Sequence, residues 1–141
     1  MSASPAAVGP AAGLRRRSRE ALTALAIQYL LGMAANLIGE PDNAVVGVID
    51  TIIVILHIVI AIGLVVVSVR VLLAARAAGV GERLALWGLV VMVIAFLAGV
   101  LTIAIGSDWA SYVMAVGFLV AAALNAGTFL ASYRADRPAE V

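Results

Sequence analysis

Four continuous apolar segments, separated by short polar stretches, fill most of this chain. They lie at residues 21–38, 45–69, 84–105 and 110–133. A helix rises about 1.5 Å per residue, so each segment is long enough to cross a hydrocarbon core of about 30 Å. Transmembrane strands would alternate apolar and polar residues, and these segments do not. The sequence therefore predicts an all-α integral membrane protein, with four transmembrane helices packed as an antiparallel bundle.

The composition agrees with this prediction and limits the chemistry. Hydrophobic residues make up 65% of the chain and charged residues only 12%, and there is no cysteine. Without cysteine there are no disulfides, no thiolate metal sites and no cysteine nucleophiles. The sequence also lacks a glycine-rich phosphate loop, a nucleophile elbow and a spaced cluster of metal ligands. We therefore expect a non-enzymatic protein without a metal site.

The basic residues are all arginine, and their placement predicts the topology. They lie at positions 15–19, at 70–83 and at 134–137, whereas the connections 39–44 and 106–109 contain none. Cytoplasmic loops of membrane proteins carry an excess of basic residues. The pattern therefore predicts a multi-pass protein of the cytoplasmic membrane, with both termini and the connection at 70–83 in the cytoplasm.

The same arginines bear on domain organisation and partners. We expect a disordered basic tail at residues 1–19, a transmembrane domain at 20–133 and a cytoplasmic tail at 134–141. Arginines at helix ends suit anionic lipid headgroups and are already required for membrane insertion. The expected partner is therefore the lipid bilayer rather than nucleic acid. A homodimer or a larger membrane complex stays open.

Ionisable residues inside the second helix are the first candidates for function, because such residues are costly in lipid. His57 is the only histidine and lies near the middle of that helix. Asp50 comes about two turns earlier on nearly the same face, about 10 Å away along the axis. One interpretation is a proton relay or a ligand-binding face. The other is that His57 donates to a neighbouring helix while Asp50 lies at the wet outer edge.

Amide side chains extend this candidate site. Gln28 and Asn36 fall on a stripe of small and amide residues in the first helix, and Asn125 falls on a similar stripe in the fourth. Small residues let helices approach closely, and amides then hydrogen-bond across the gap. Plain bundle packing is the favoured explanation of the stripes. The candidate intramembrane site comprises Gln28, Asn36, Asp50, His57 and Asn125.

A histidine in the middle of a membrane helix also raises the question of haem. Helical-bundle b-type cytochromes use two axial ligands, and this chain offers only one histidine. Met92 in the third helix lies at about the same depth as His57, which leaves a His/Met site open. Methionine at a helix interface is usually a packing residue. We expect no cofactor, with haem b as the alternative.

One stretch supports a family resemblance. The segment Gly-Ser-Asp-Trp-Ala-Ser-Tyr-Val-Met-Ala at residues 106–115 runs into the fourth helix. It resembles small four-helix membrane proteins common in actinobacteria, and the connection after Asn36 and the His57 helix fit the same outline. The resemblance covers about residues 20–133. It implies a bacterial protein of the same architecture, and it implies no function.

Three functional hypotheses follow. The leading one is a non-enzymatic membrane protein that acts as an accessory or scaffold partner. The alternative is a small homodimeric transporter or a proton-coupled membrane protein that uses Asp50 and His57. The third is a haem-binding membrane redox subunit, with His57 and Met92 as its ligands.

Overall fold

The computed structural model of the chain describes residues 9–39 and 41–135 and is helical almost throughout. All four helices are long and apolar enough to cross a membrane, as the sequence predicts. In chain order they are α1 (Pro10–Ile38), α2 (Ala44–Ala78), α3 (Glu82–Ile105) and α4 (Asp108–Ala135).

Helix α1 begins well before its apolar segment. Its first residue is Pro10, which suits a first helical turn because the N–H that proline lacks would have no helical partner there. Residues 10–19 are therefore helical, where the sequence predicts a disordered tail. The reason is packing: Leu14 and Ser18 are fully buried, and Leu14 lies in one apolar cluster with Val71. Residues 1–8, the rest of the predicted tail, lie outside the described residues.

Helix α2 continues through Arg70, where the sequence predicts a connection from 70 to 83. It ends at Ala78, and the connection to α3 is only residues 79–81. Gly79 adopts a left-handed conformation with φ of 66°, and its N–H bonds the last carbonyls of the helix. The helix continues because Leu72 and Ala75 remain buried beyond the arginine. In the same way α4 includes Arg134, and the predicted tail from 136 onwards lies outside the described residues.

The four helices pack side by side around a shared core. Contacts join α1 to α2, α2 to α3, α3 to α4, and α4 back to α1. Two apolar clusters fill the bundle along part of its length. The first cluster contains Leu14, Ala21, Val71, Leu72, Ala75 and Ala85. The second cluster contains Leu25, Leu64, Met92, Phe118 and Ala121.

The α3–α4 interface depends on small residues, glycine and alanine. A Cβ atom added at Gly117 would lie 2.8 Å from the Cβ of Ala95, and one added at Gly88 would lie 3.6 Å from Nδ2 of Asn125. Small residues at such positions let two helix backbones approach closely and increase van der Waals contact along the interface. The Gly117–Ala95 contact has no room for another carbon.

Replacing Gly117 with Ala should therefore destabilise the bundle. We expect Gly117→Ala to lower the free energy of unfolding by about 1–3 kcal/mol, the usual cost of overpacking a tight core. The matched control is Gly63→Ala in α2, where a new Cβ meets nothing within 4 Å. Thermal unfolding of both variants in one detergent makes the comparison. Equal melting temperatures for the two variants would contradict the close α3–α4 approach.

Candidate functional site

A cavity of about 480 Å³ opens among the four helices, beyond the second apolar cluster. We call it the His57 cavity. Its walls are mostly apolar, and its volume falls within the range of about 300–1,000 Å³ typical of small-molecule sites. Every helix contributes to its lining, which includes Gly32, Asn36, His57, Thr102, Met114 and Phe118.

His57 is held in place by contacts on two sides. Its ring packs against α1, where a Cβ added at Gly32 would lie 3.2 Å from Cε1 and 3.6 Å from Nδ1. On the α4 side the ring meets Phe118 edge to face, with centroids 6.4 Å apart and planes at 84°. Glycine at position 32 therefore makes the room that the imidazole occupies, and aromatic packing fixes its tilt.

The two ring nitrogens of His57 differ in their surroundings. Nδ1 is buried beside α1, close to the Gln28 backbone carbonyl, in a geometry that falls short of a regular hydrogen bond. Nε2 makes no hydrogen bond among the described residues and is accessible, and His57 is a lining residue of the cavity. The Nδ1–Cε1 side of the imidazole therefore packs against α1, and Nε2 is the ring nitrogen that stays accessible.

Gln28 lies one turn before Gly32 on α1 and is fully buried. Neither Oε1 nor Nε2 of its amide has a hydrogen-bond partner within the described residues. Leaving a buried polar group unpaired costs about 1–3 kcal/mol. The amide does not line the cavity, so it forms a second, separate unsatisfied group in the middle of the bundle.

The five predicted site residues do not converge. Asn36 and His57 both line the cavity, although the Asn36 side chain is exposed. Asp50 does not line it and has neither a hydrogen bond nor a salt bridge to His57. Asn125 is buried further along α4, where its Nδ2 donates to the Ala121 carbonyl at 2.9 Å. The structure thus joins two of the five residues and places Gln28 beside them.

Several cavity residues are absent from the predicted site. Ser111, Met114 and Phe118 line the cavity from α4, at the spacing of one helix face. That spacing is visible in the sequence. It does not distinguish a cavity wall from an ordinary packing face, because serine, methionine and phenylalanine serve equally well in both.

The structure separates the two residues proposed as haem ligands. Met92 is 1% exposed and packs within the second apolar cluster, whereas His57 lines the cavity. Met114 is the methionine that shares the cavity with His57. As for metals, no group of three or more histidine, aspartate or glutamate side chains comes together in residues 9–39 and 41–135.

Comparisons with known proteins gave no relative for this chain. No protein-family model, no curated protein and no solved structure matches it. The resemblance to small actinobacterial membrane proteins stays a prediction.

The unpaired amide of Gln28 gives a direct test of the site. We expect Gln28→Met to raise the free energy of unfolding of the ligand-free protein by roughly 1–3 kcal/mol, because it removes the unsatisfied group and keeps an unbranched side chain. The control is Ile27→Met on the exposed side of α1, which should change little. Chemical unfolding in mixed micelles measures both. A loss of stability in Gln28→Met would show that the amide has a partner.

Proposed function

We propose that the chain is a multi-pass membrane protein whose helices run antiparallel, with both termini on the cytoplasmic side. The exposed surface supports insertion into lipid: Leu37 and Trp109, for example, are 78% and 76% exposed. Facing residues support the antiparallel arrangement. Gly88 lies opposite Asn125 and Gly99 opposite Met114, so residue numbers rise along α3 as they fall along α4.

The distribution of charge supports the orientation. Arg16 and Arg17 bridge to Glu20 at 2.9 and 3.2 Å near the start of α1, and Arg76 bridges to Glu82 at 2.9 Å across the α2–α3 connection. The connections at residues 39–44 and 106–109, which lie at the opposite ends of these helices, contain Asp42 and no arginine. A basic end in the cytoplasm is what membrane insertion favours.

The absence of native cysteine makes this orientation simple to test. We expect Asp42→Cys to react with a membrane-impermeant maleimide in intact spheroplasts of the expression host. Ala77→Cys should react only after permeabilisation, because it lies at the basic end. Both positions are exposed in the structure, so accessibility of the side chain does not limit the reaction. The reverse labelling pattern would contradict the proposed sidedness.

We further propose that the protein acts by binding a small, mainly apolar molecule in the His57 cavity. The observation that carries this proposal is the cavity itself, with about 480 Å³ lined by all four helices and a few polar groups in an apolar wall. Sites for small molecules have this composition. The role is non-enzymatic and agrees with the expectation of an accessory membrane protein that works through binding.

The geometry supports binding better than proton-coupled transport. A relay through Asp50 and His57 requires a chain of hydrogen bonds between them. The two residues lie about two turns apart on α2, and Asp50 does not share the cavity. Transport and homodimer formation remain hypotheses from the sequence, and no contact among the described residues favours them over binding.

Filling the cavity should abolish binding. We expect a photoreactive naphthyl diazirine, added to protein in lipid nanodiscs, to label α4 near Met114 in a saturable way. Excess 1-methylnaphthalene should compete with it. Ala35→Phe places a ring in the cavity, because Ala35 lines it, and should remove most of the saturable labelling. The reagent should label lipid-facing positions without saturation.

The matched control is Ala115→Phe, because Ala115 is exposed on α4 and does not line the cavity. It should keep the saturable labelling of the wild-type protein. Labelling that no competitor displaces, or an equal loss of labelling in both variants, would contradict the cavity as the binding site.

An absorption spectrum of the purified protein tests the haem alternative. A Soret band that is lost in His57→Ala would replace this proposal with haem binding.

A further inference from the structure

From the geometry of His57 we infer the chemical class of the ligand: an apolar molecule with one hydroxyl group, which bonds to Nε2 of His57. This inference rests on the proposed function, since it names what the cavity selects. Its basis is the difference between the two ring nitrogens. Nδ1 is buried against α1, whereas Nε2 is the accessible nitrogen of a residue that lines the cavity.

The polar group of α1 that lies next to Nδ1 determines which tautomer the imidazole adopts. A neutral imidazole carries its proton on one nitrogen and a lone pair on the other. Nδ1 lies near the Gln28 backbone, where the available polar group is a carbonyl oxygen, an acceptor. A lone pair on Nδ1 would repel that oxygen, whereas an Nδ1 proton is attracted to it. The proton therefore belongs on Nδ1, and Nε2 presents a lone pair.

A lone pair on Nε2 selects the ligand. It accepts a hydrogen bond from a hydroxyl group and cannot bond a carbonyl or an ether oxygen, since those groups have no hydrogen to donate. The surrounding wall is apolar, so the rest of the ligand is apolar as well. A buried charge would be costly in this environment, which excludes carboxylates and amines as preferred ligands.

The other polar groups of the lining are less suited to this role. The Thr102 hydroxyl already donates to the Ala98 carbonyl at 3.0 Å. Asn36 is exposed and meets competing polar groups outside the cavity. Ser111 is half-buried and remains the competitor that an experiment has to distinguish from His57. Among these polar lining residues, His57 is the one whose side chain is held by contacts on two sides, with Gly32 and with Phe118.

The test compares three bicyclic probes of nearly equal shape: 2-naphthol, 2-methoxynaphthalene and 2-methylnaphthalene. Each competes with the naphthyl diazirine on the full chain in nanodiscs. For each probe, the wild-type affinity is divided by that of His57→Phe, which cancels partitioning into lipid. His57→Phe keeps an aromatic ring against Phe118. We expect a ratio of about 3 to 10 for 2-naphthol, as one net hydrogen bond provides, and about 1 for the other two.

A second measurement uses the wild-type protein alone. The chain has one histidine, so labelling with ¹⁵N-histidine gives a single pair of imidazole nitrogen resonances. We expect the unliganded spectrum to show a protonated Nδ1 and an unprotonated Nε2. Adding 2-naphthol should shift the Nε2 resonance, and adding 2-methylnaphthalene should leave it in place. This measurement serves even where His57→Phe does not fold.

The outcomes separate this inference from the proposed function. Equal ratios for the three probes, with saturable labelling intact, would overturn the hydroxyl preference and leave cavity binding standing. An Nε2 that carries the proton would also overturn the hydroxyl preference. A preference for 2-naphthol that persists in His57→Phe would overturn it too, and would assign the bond from the hydroxyl to Ser111. Loss of all saturable labelling in the wild-type protein would overturn both proposals together.

Discussion

The close approach of α3 and α4 is the constraint on which the rest of the bundle depends. At Gly117 and Ala95 the two helices come so close that an added carbon would lie 2.8 Å from its neighbour. In lipid there is no hydrophobic force between helices, so such van der Waals contacts supply much of the association energy. Phe118 follows Gly117 directly and closes the second apolar cluster. Beyond it the side chains of the four helices leave the His57 cavity unfilled.

The bundle is therefore asymmetric along its length. The first apolar cluster lies towards the end that carries most of the arginines, the second lies near the middle of the bundle, and the cavity lies towards the other end. Leu14 shows how far the packed part extends, because it is fully buried although it comes just before the arginine cluster. A packed end combined with an open end gives a rigid frame for a site, which reduces the cost of ordering side chains when a ligand binds.

The polar side chains of the bundle divide into satisfied and unsatisfied groups. The hydroxyls of Ser68, Thr102 and Thr128 each donate to a carbonyl one turn earlier in their own helix, at 2.8, 3.0 and 2.9 Å. Such residues need no partner helix. Gln28 and His57 lack this local solution, because their polar atoms extend beyond their own backbone. Ser18 is the exception among the buried hydroxyls, because its Oγ has no partner within the described residues.

The sequence predicts the helices better than the site, for physical reasons. Long apolar segments must be helical in lipid, so the spans are fixed by local composition. Helix ends depend on tertiary packing, which is why burial of Leu14 and Ala75 extends α1 and α2 past their arginines. Helical periodicity places Asp50 and His57 on one face, but it does not show which neighbour that face meets. Only the packed bundle reveals that Gly32 makes room for the imidazole.

With the proposed insertion into a bilayer, a histidine suits this position better than a charged side chain. A carboxylate or an ammonium group in the hydrocarbon region is costly unless it is paired, whereas a neutral imidazole is not charged and still has both a donor and an acceptor. The Nδ1 side of His57 packs against α1, and the residue lines a mostly apolar cavity. In the proposed binding site, one accessible imidazole nitrogen would distinguish ligands by one hydrogen bond. Selection of this kind would need no catalytic group.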